Sequence, residues 1–222
     1  MSNIYVAACC NLAGYDPSCY KTMYEISKKT VEQNVKDIGN HVCITGSFDS
    51  AFDMFKHIFY ETARLAINNN VFFVDVDMLC VKPVNVFGQH DQFCMFGGWD
   101  NAGFGVASYT EFEKYFSASP RYIPKSVGSW FYDNGSYAWE HSPKSELWDY
   151  EQVLYNRLIR KQEKFDVDKY FNMREYNYIV DERAKNQCNI KDALFLHFSG
   201  SRNPQATVSK MEEAYDRSFN PN

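Results

Sequence analysis

The chain has 222 residues, 45% of them hydrophobic, and its 28 acidic and 23 basic residues give a formal net charge of -5. A chain of this length can bury one good core, so we expect a single domain over residues 1–222. The net negative charge argues against duplex nucleic acid or an anionic membrane surface as the partner.

Cysteine usage and hydropathy predict the compartment. Five of the seven cysteines lie in apolar runs, where a free thiol behaves as a small hydrophobic side chain. The start, MSNIYVAACCNLAGY, lacks the basic region and the long apolar run of a signal peptide, and no segment approaches the length of a membrane span. We therefore expect a cytoplasmic protein without a membrane span.

Short apolar runs alternate with amphipathic segments in the amino-terminal half. Residues 4–10, 41–46 and 71–76 predict buried strands. A helix is predicted from about residue 20 to residue 37, and Ser50 is the expected N-cap of a second helix. Apolar strands separated by helices are typical of an α/β fold with a mainly parallel central sheet flanked by helices.

The carboxyl-terminal half is less regular. FCMFGG predicts another strand, DALFLHF a late strand, and the tail after Pro204 a polar helix. SELWDYEQVLYNRLIRKQ has the spacing of an amphipathic helix. Asn134-Gly135 suits a type I′ turn, so SWFYDNGSYAW is expected to form a small antiparallel hairpin whose aromatic side chains pack together or line an acceptor groove.

Two carboxylates, Asp75 and Asp77, stand one residue apart directly behind the apolar run VFFV. Ligands bind open α/β sheets at the carboxyl ends of the strands, and strand alternation would point both side chains the same way. Adjacent carboxylates repel unless a cation lies between them, and hard oxygen ligands suit Mg²⁺ or Mn²⁺. The pair predicts a divalent metal site; the alternative is one Asp capping the next turn and the other solvated.

Five segments resemble the motifs of one enzyme family, in the same order. VFFVDVDMLCVKPV is similar to the DxD segment of GT-A glycosyltransferases, and ALFLHFSGSRNP to the HFxGxxKP segment of their retaining members, the glycogenin-like and lipopolysaccharide galactosyltransferases. EQVLYN resembles their DQxxxN element, NAGF their NAG segment, and ARL a donor-contacting basic residue ahead of the DxD strand. Compact enzymes of this kind are similar to those of large algal viruses, which glycosylate capsid proteins; for such a virus the compartment would be the host cytoplasm.

The resemblance implies a GT-A-like fold and a set of site residues. Asp75, Asp77 and His197 would hold Mn²⁺ or Mg²⁺ against the diphosphate of a UDP-sugar. Gln152 would line the reacting sugar carbon, and Glu151 is the nearest candidate for a nucleophile. The other donor contacts that the motifs imply are Arg64, Asn101, Gly200 and Arg202. The family's Lys before the proline is Asn203 here, so either Arg202, one position earlier, would supply the cation for the diphosphate, or this cation is missing.

Each of these residues also has an ordinary structural explanation. His197 lies in an apolar strand, where most histidines are hydrogen-bonded core residues. Gln152 could belong to the polar face of its helix, Asn101 to a turn, and Arg64 to a solvated helix surface. For Asn11, after the first strand, the alternatives are contact with a nucleotide base and an ordinary loop position.

The function that we expect is metal-dependent transfer of a hexose or deoxyhexose from a UDP-sugar to a glycan or protein acceptor, with retention at the anomeric carbon. One alternative is a phosphohydrolase of the haloacid-dehalogenase class, because FFVDVD also resembles its nucleophile strand. The other is a non-catalytic domain that binds a nucleotide or a glycan. An aspartyl-phosphate would indicate the first, and donor binding without turnover the second.

Overall fold

The computed structural model describes residues 2–14, 16–88, 91–96, 119–141, 154, 155, 158, 161, 174–180, 188–198 and 203–219. The strands are β1 (Ser2–Leu12), β2 (Asn40–Phe48), β3 (Asn69–Phe73), β4 (Met78–Cys80), β5 (Cys94–Met95), β6 (Arg121–Ile123), β7 (Tyr178–Ile179) and β8 (Phe195–His197). The helices are α1 (Pro17–Asn34), α2 (Ala51–Ala66), α3 (Gly128–His141) and α4 (Pro204–Phe219). Short 3₁₀ turns occur at Lys125–Val127, Arg174–Tyr176 and Ile190–Asp192.

The strands of the described residues form two sheets. The larger has the order β2-β1-β3-β6-β5; β1, β2 and β3 run parallel, and β6 is antiparallel to both β3 and β5. The smaller has the order β4-β8-β7. The expected α/β fold with a mainly parallel arrangement of its first strands is therefore confirmed.

Capping residues decide where the first two helices begin. Asp16 accepts the backbone N–H of Ser18 at 2.9 Å, and Pro17 takes the first helical position, so α1 starts earlier than its apolar pattern predicts. Ser50 accepts the N–H of Asp53 at 3.1 Å, which confirms the predicted cap of α2. The buried face of α2 carries Ile58, Phe59, Thr62, Ala63 and Ala66.

The hairpin predicted for residues 129–139 is wrong, because this segment is the helix α3. Its buried residues, Gly128, Phe131, Gly135 and Trp139, recur at helical spacing. A Cβ on Gly135 would lie 1.8 Å from Cζ of Phe59 in α2, and a Cβ on Gly128 would lie 2.1 Å from the carbonyl oxygen of Ala66. These glycines let two helices approach closely, whereas the prediction assigned Gly135 to a turn.

Two aromatic side chains of α3, Phe131 and Trp139, pack into the interior, whereas Tyr137 on the same helix is exposed. Trp139 is buried, with its ring centroid 5.1 Å from that of Phe52 and 6.2 Å from that of Phe59. Phe131 stacks on Tyr155 with ring centroids 6.1 Å apart. Packing therefore accounts for Trp139, one of the aromatic residues considered for an acceptor groove.

The cysteines and the hydropathy of the helices can be compared with the expectations from sequence. All seven cysteines are free. In the part of the chain that the structure describes, no helix is long and apolar enough to span a bilayer.

Candidate metal centre

The two carboxylates lie in a turn between the two sheets. The strand predicted for residues 71–76 ends at Phe73, although the N–H of Val74 still donates to the carbonyl oxygen of Val6 at 3.0 Å. The N–H of Met78 then donates to the carbonyl oxygen of Asp75 at 3.1 Å, which closes a turn around Asp77. The chain has to turn here because β4 pairs in the smaller sheet, so strand alternation is not what brings the two carboxylates together.

Pairing of β4 with β8 brings His197 to this turn. Met78 stands opposite His197 in the antiparallel register, and the N–H of Phe198 donates to the carbonyl oxygen of Asp77 at 2.9 Å. Nε2 of His197 lies 3.5 Å from Oδ1 of Asp77. One donor atom from each of Asp75, Asp77 and His197 lies within 4.8 Å of the other two. The structure thus brings together the three residues predicted to bind a metal.

The protonation preferences of the three groups differ. Burial, and then the charge of Asp77, raise the pKa of Asp75 against the opposing influence of Arg121. Burial alone would also raise the pKa of Asp77, but the positive charge of the nearby His197 holds it below its usual value. Burial alone would lower the pKa of His197, yet the two carboxylates raise it. The cluster therefore favours an added positive charge, which a proton on His197 or a metal ion can supply.

The donor set fits one divalent cation. Two atoms that bind the same ion at about 2.0–2.6 Å can be at most about 5.2 Å apart, and the three donor atoms, which lie within 4.8 Å of one another, meet this condition. Two carboxylates and one imidazole offer two hard ligands and one borderline ligand, a combination that suits Mn²⁺ and also accommodates Mg²⁺. The Asp77 side chain is 28% exposed and that of His197 only 6%, so a ligand reaches the site from the carboxylate side.

Two buried polar residues beside the turn, Arg121 and Asn177, belong to none of the motifs found in the sequence. Arg121 in β6 stands opposite Phe73 and is 1% exposed; its guanidinium carbon lies 3.8 Å from the ring centroid of Phe73 and 4.2 Å from that of Tyr155. Asn177 is 3% exposed, and its Oδ1 lies 2.8 Å from Nδ1 of His197. The only sequence signal for Asn177 is a polar residue between two tyrosines ahead of the short β7 run.

Arg64 does not join this cluster. It lies in the last turn of α2, before β3 begins, whereas Asp75 follows the end of β3. Its side chain is 64% exposed and forms an ion pair with Glu61 at 2.6 Å. A contact between Arg64 and a donor is therefore still only a prediction.

Several predicted residues fall outside the described part of the chain, namely Asn101, Glu151, Gln152, Gly200 and Arg202. Their roles remain predictions. In the same segment as Gln152, the side chains of Leu154, Tyr155 and Leu158 are buried and their backbone is helical, as the amphipathic pattern predicted.

Comparison with known proteins bears on the fold. No family model and no curated protein sequence matches the chain. Among solved structures it is similar to a glycosyltransferase involved in the glycosylation of the major capsid of PBCV-1, with 14% identity, a TM-score of 0.56, and coverage of 95% of this chain and 99% of that one. The chain therefore shares the fold of this glycosyltransferase. A second similar structure is the glycosyltransferase GlyE of Streptococcus pneumoniae TIGR4, with 12% identity and a TM-score of 0.51; the match spans 99% of this chain and 63% of GlyE.

Proposed function

We propose that the protein is a metal-dependent glycosyltransferase that moves a hexose or deoxyhexose from a UDP-sugar to a glycan or protein acceptor. The observation that carries this proposal is the convergence of Asp75, Asp77 and His197 within 4.8 Å, in a chain with a glycosyltransferase fold. Two carboxylates at the end of a sheet strand are where an α/β fold binds its ligand. The single domain of residues 1–222 and the cytoplasmic location are parts of the same proposal.

The chain's residues have distinct roles in this proposal. Asp75, Asp77 and His197 would hold Mn²⁺ or Mg²⁺, and the bound ion would neutralise charge on the diphosphate as the bond to the sugar breaks. Arg121 partly compensates the Asp75 carboxylate, because its fixed cation lowers the pKa of that group against burial. The Asp77 side chain is more exposed than that of His197, so it faces the space in which a diphosphate would lie.

The remaining assignments rest on sequence motifs. Gln152 would line the face of the sugar from which the acceptor attacks, with retention at the anomeric carbon, and Glu151 is the alternative nucleophile. Arg64, Asn101, Gly200 and Arg202 would contact the donor. A protein acceptor is supported by the similar PBCV-1 enzyme, which is involved in glycosylating a major capsid, and a viral origin belongs to the same proposal.

The proposal is tested by incubating the protein with a panel of nucleotide sugars and measuring nucleotide release with Mn²⁺ and with EDTA. We expect one or a few UDP-sugars to be hydrolysed slowly in the presence of Mn²⁺ alone. Asp77→Asn should abolish this activity, and the matched control Asp53→Asn, which changes an exposed carboxylate on α2, should leave it unchanged. The acceptor is then sought among glycans and glycoproteins with the donor so identified.

Other results of the same panel would contradict the proposal in different ways. A hydroxylamine-labile acyl phosphate on Asp75 after incubation with phosphate esters would indicate a phosphohydrolase. UDP binding without turnover of any donor would indicate a non-catalytic binding domain. Donor hydrolysis that persists in EDTA would show that the reaction does not depend on a metal ion.

A further inference from the structure

A chain of hydrogen bonds reaches Nδ1 of His197, the ring nitrogen that does not face Asp77. Nδ1 of His197 lies 2.8 Å from Oδ1 of Asn177, and Nδ2 of Asn177 donates to the carbonyl oxygen of Ser119 at 2.9 Å. All three residues are buried, with exposed fractions of 5%, 3% and 0%. Buried polar groups of this kind have no water to rearrange around them, so their partners fix their orientation.

The chemistry of the partners sets the direction of every bond in this chain. A backbone carbonyl oxygen can only accept, so the amide nitrogen of Asn177 must face Ser119. The amide oxygen of Asn177 therefore faces His197, and it too can only accept. The hydrogen between them must belong to Nδ1 of His197.

The other ring nitrogen is then left with its lone pair in the neutral imidazole. Nε2 lies 3.5 Å from Oδ1 of Asp77, longer than an ordinary N–H···O hydrogen bond of about 2.7–3.2 Å. A lone pair that faces a carboxylate is repulsive unless a cation lies between them. Nε2 is thus presented as a ligand toward the space beside Asp77.

We propose that Asn177 is a positioning residue which fixes the Nδ1–H tautomer of His197 and so aims the Nε2 lone pair at a divalent cation beside Asp77. The inference rests on the proposed metal-dependent function. Metal-binding histidines are commonly oriented by an acceptor on their other nitrogen, and loss of that acceptor weakens metal binding by about 10- to 100-fold.

Ser119 connects the hydrogen bonds of Asn177 and His197 to the backbone of Asp75. Its hydroxyl oxygen accepts the N–H of Asp75 at 2.9 Å, while its carbonyl oxygen accepts from Asn177. One residue therefore ties the backbone of Asp75 to the orientation of His197. A continuous hydrogen-bonded path therefore joins the backbone of Asp75 to the imidazole, and Asn177 is the part of it that contacts the histidine.

The test compares Asn177→Leu with Asn177→Asp. Leucine keeps the branched skeleton of the side chain and removes both hydrogen bonds, whereas aspartate keeps an acceptor for Nδ1–H and loses the donor to Ser119. The matched control is Asn70→Leu: Asn70 also accepts one bond, from the N–H of Lys125 at 2.9 Å, and donates one, to Asn3 at 2.9 Å. It lies at the other end of β3, about 15 Å along the chain from Asp75.

Two readouts are measured on each protein. The tautomer of His197 is read from its imidazole ¹⁵N chemical shifts in metal-free protein at a pH where the ring is neutral, with His197→Gln assigning the signal among five histidines. The affinity for Mn²⁺ is measured by calorimetry. We expect the Nδ1–H tautomer in wild type, Asn177→Asp and Asn70→Leu, and its loss in Asn177→Leu with Mn²⁺ affinity lowered about 10- to 100-fold.

The two readouts separate failure of this inference from failure of the proposed function. An Nε2–H tautomer in the wild type overturns the inference without any variant, which matters if Asn177→Leu does not fold. Asn177→Leu with an unchanged tautomer and unchanged Mn²⁺ affinity overturns it as well. If the tautomer changes as expected but wild type binds no Mn²⁺, the metal-dependent function is wrong and control of the histidine by Asn177 stands.

Discussion

Replacing Asp75 by Asn should make the metal-free protein more stable and the metal-loaded protein less stable than wild type. The reason is that the folded state raises the pKa of Asp75, first through burial and then through the charge of Asp77. An acid whose pKa is raised on folding destabilises the fold at every pH where it is ionised in the unfolded chain, that is, above its ordinary value of 3.8. A neutral amide of the same shape removes that penalty.

The size of the effect follows from the spacing of the carboxylates. At the 4.8 Å limit and an effective dielectric constant of about 20, two unit charges repel by about 3.5 kcal/mol, and by more if they are closer. Because Asp75→Asn also forfeits the attraction of Arg121 and His197, we expect a net gain of about 1–2 kcal/mol, or about 2–8 °C in Tm for a chain of this size. Mn²⁺ at 100 times its Kd adds about 2.7 kcal/mol to a protein that binds it.

The assay is thermal unfolding of wild type, Asp75→Asn and the control Asp53→Asn, each in EDTA and in Mn²⁺. Asp75→Asn should unfold at the higher temperature in EDTA, and the order should reverse in Mn²⁺ because only the wild type keeps both carboxylate ligands. Asp53→Asn should show the same shift between EDTA and Mn²⁺ as the wild type, because in the described part of the chain the Asp53 carboxylate interacts only with the amino-terminal turn of α2 and Ser50. If Asp75→Asn unfolds at the lower temperature in EDTA, the reasoning from carboxylate repulsion is refuted.

Three further predictions concern pH, catalysis and packing. Mn²⁺ affinity should fall as the pH drops through the raised pKa of His197, starting above 6.5, because the protonated ring cannot bind; titration calorimetry should show this step vanish in His197→Gln. Gln152→Ala should lower kcat on the order of 10²-fold with little change in donor affinity, since its contact would form with developing charge; wild-type turnover would contradict the assignment. Gly135→Ala should destabilise by about 1–3 kcal/mol in urea unfolding, despite the better helix propensity of Ala, because its Cβ would lie 1.8 Å from Phe59. In a Phe59→Leu background that penalty should shrink, and strict additivity of the two changes would contradict the contact.

Local signals predicted the first half of the fold. Ser50 with its hydrogen bond to Asp53, and the apolar runs that become β1, β2 and β3, follow from capping and from burial on both faces of a sheet. The same rules failed at Gly135, because a glycine offers either a turn conformation or a missing Cβ, and sequence alone does not say which is used. Here the missing Cβ admits Phe59.

Some residues of the site were also predicted from the sequence and others were not. Resemblance to a motif correctly grouped His197 with Asp75 and Asp77, although β8 and the turn are far apart in sequence. Asn177 could not be predicted in this way. Its role depends on its contacts with His197 and Ser119, and the sequence separation of these residues follows no helix or strand periodicity. Arg121 has the same difficulty, since its burial between two aromatic rings depends on which strands pair.

The most direct test of the metal centre is a crystal grown with Mn²⁺ and UDP, with anomalous diffraction recorded at the manganese edge. A single anomalous peak should lie about 2.0–2.6 Å from Nε2 of His197 and from carboxylate oxygens of Asp75 and Asp77, and it should also contact the diphosphate. Bound UDP with no peak among these three side chains, or a peak held by other residues, would contradict the account.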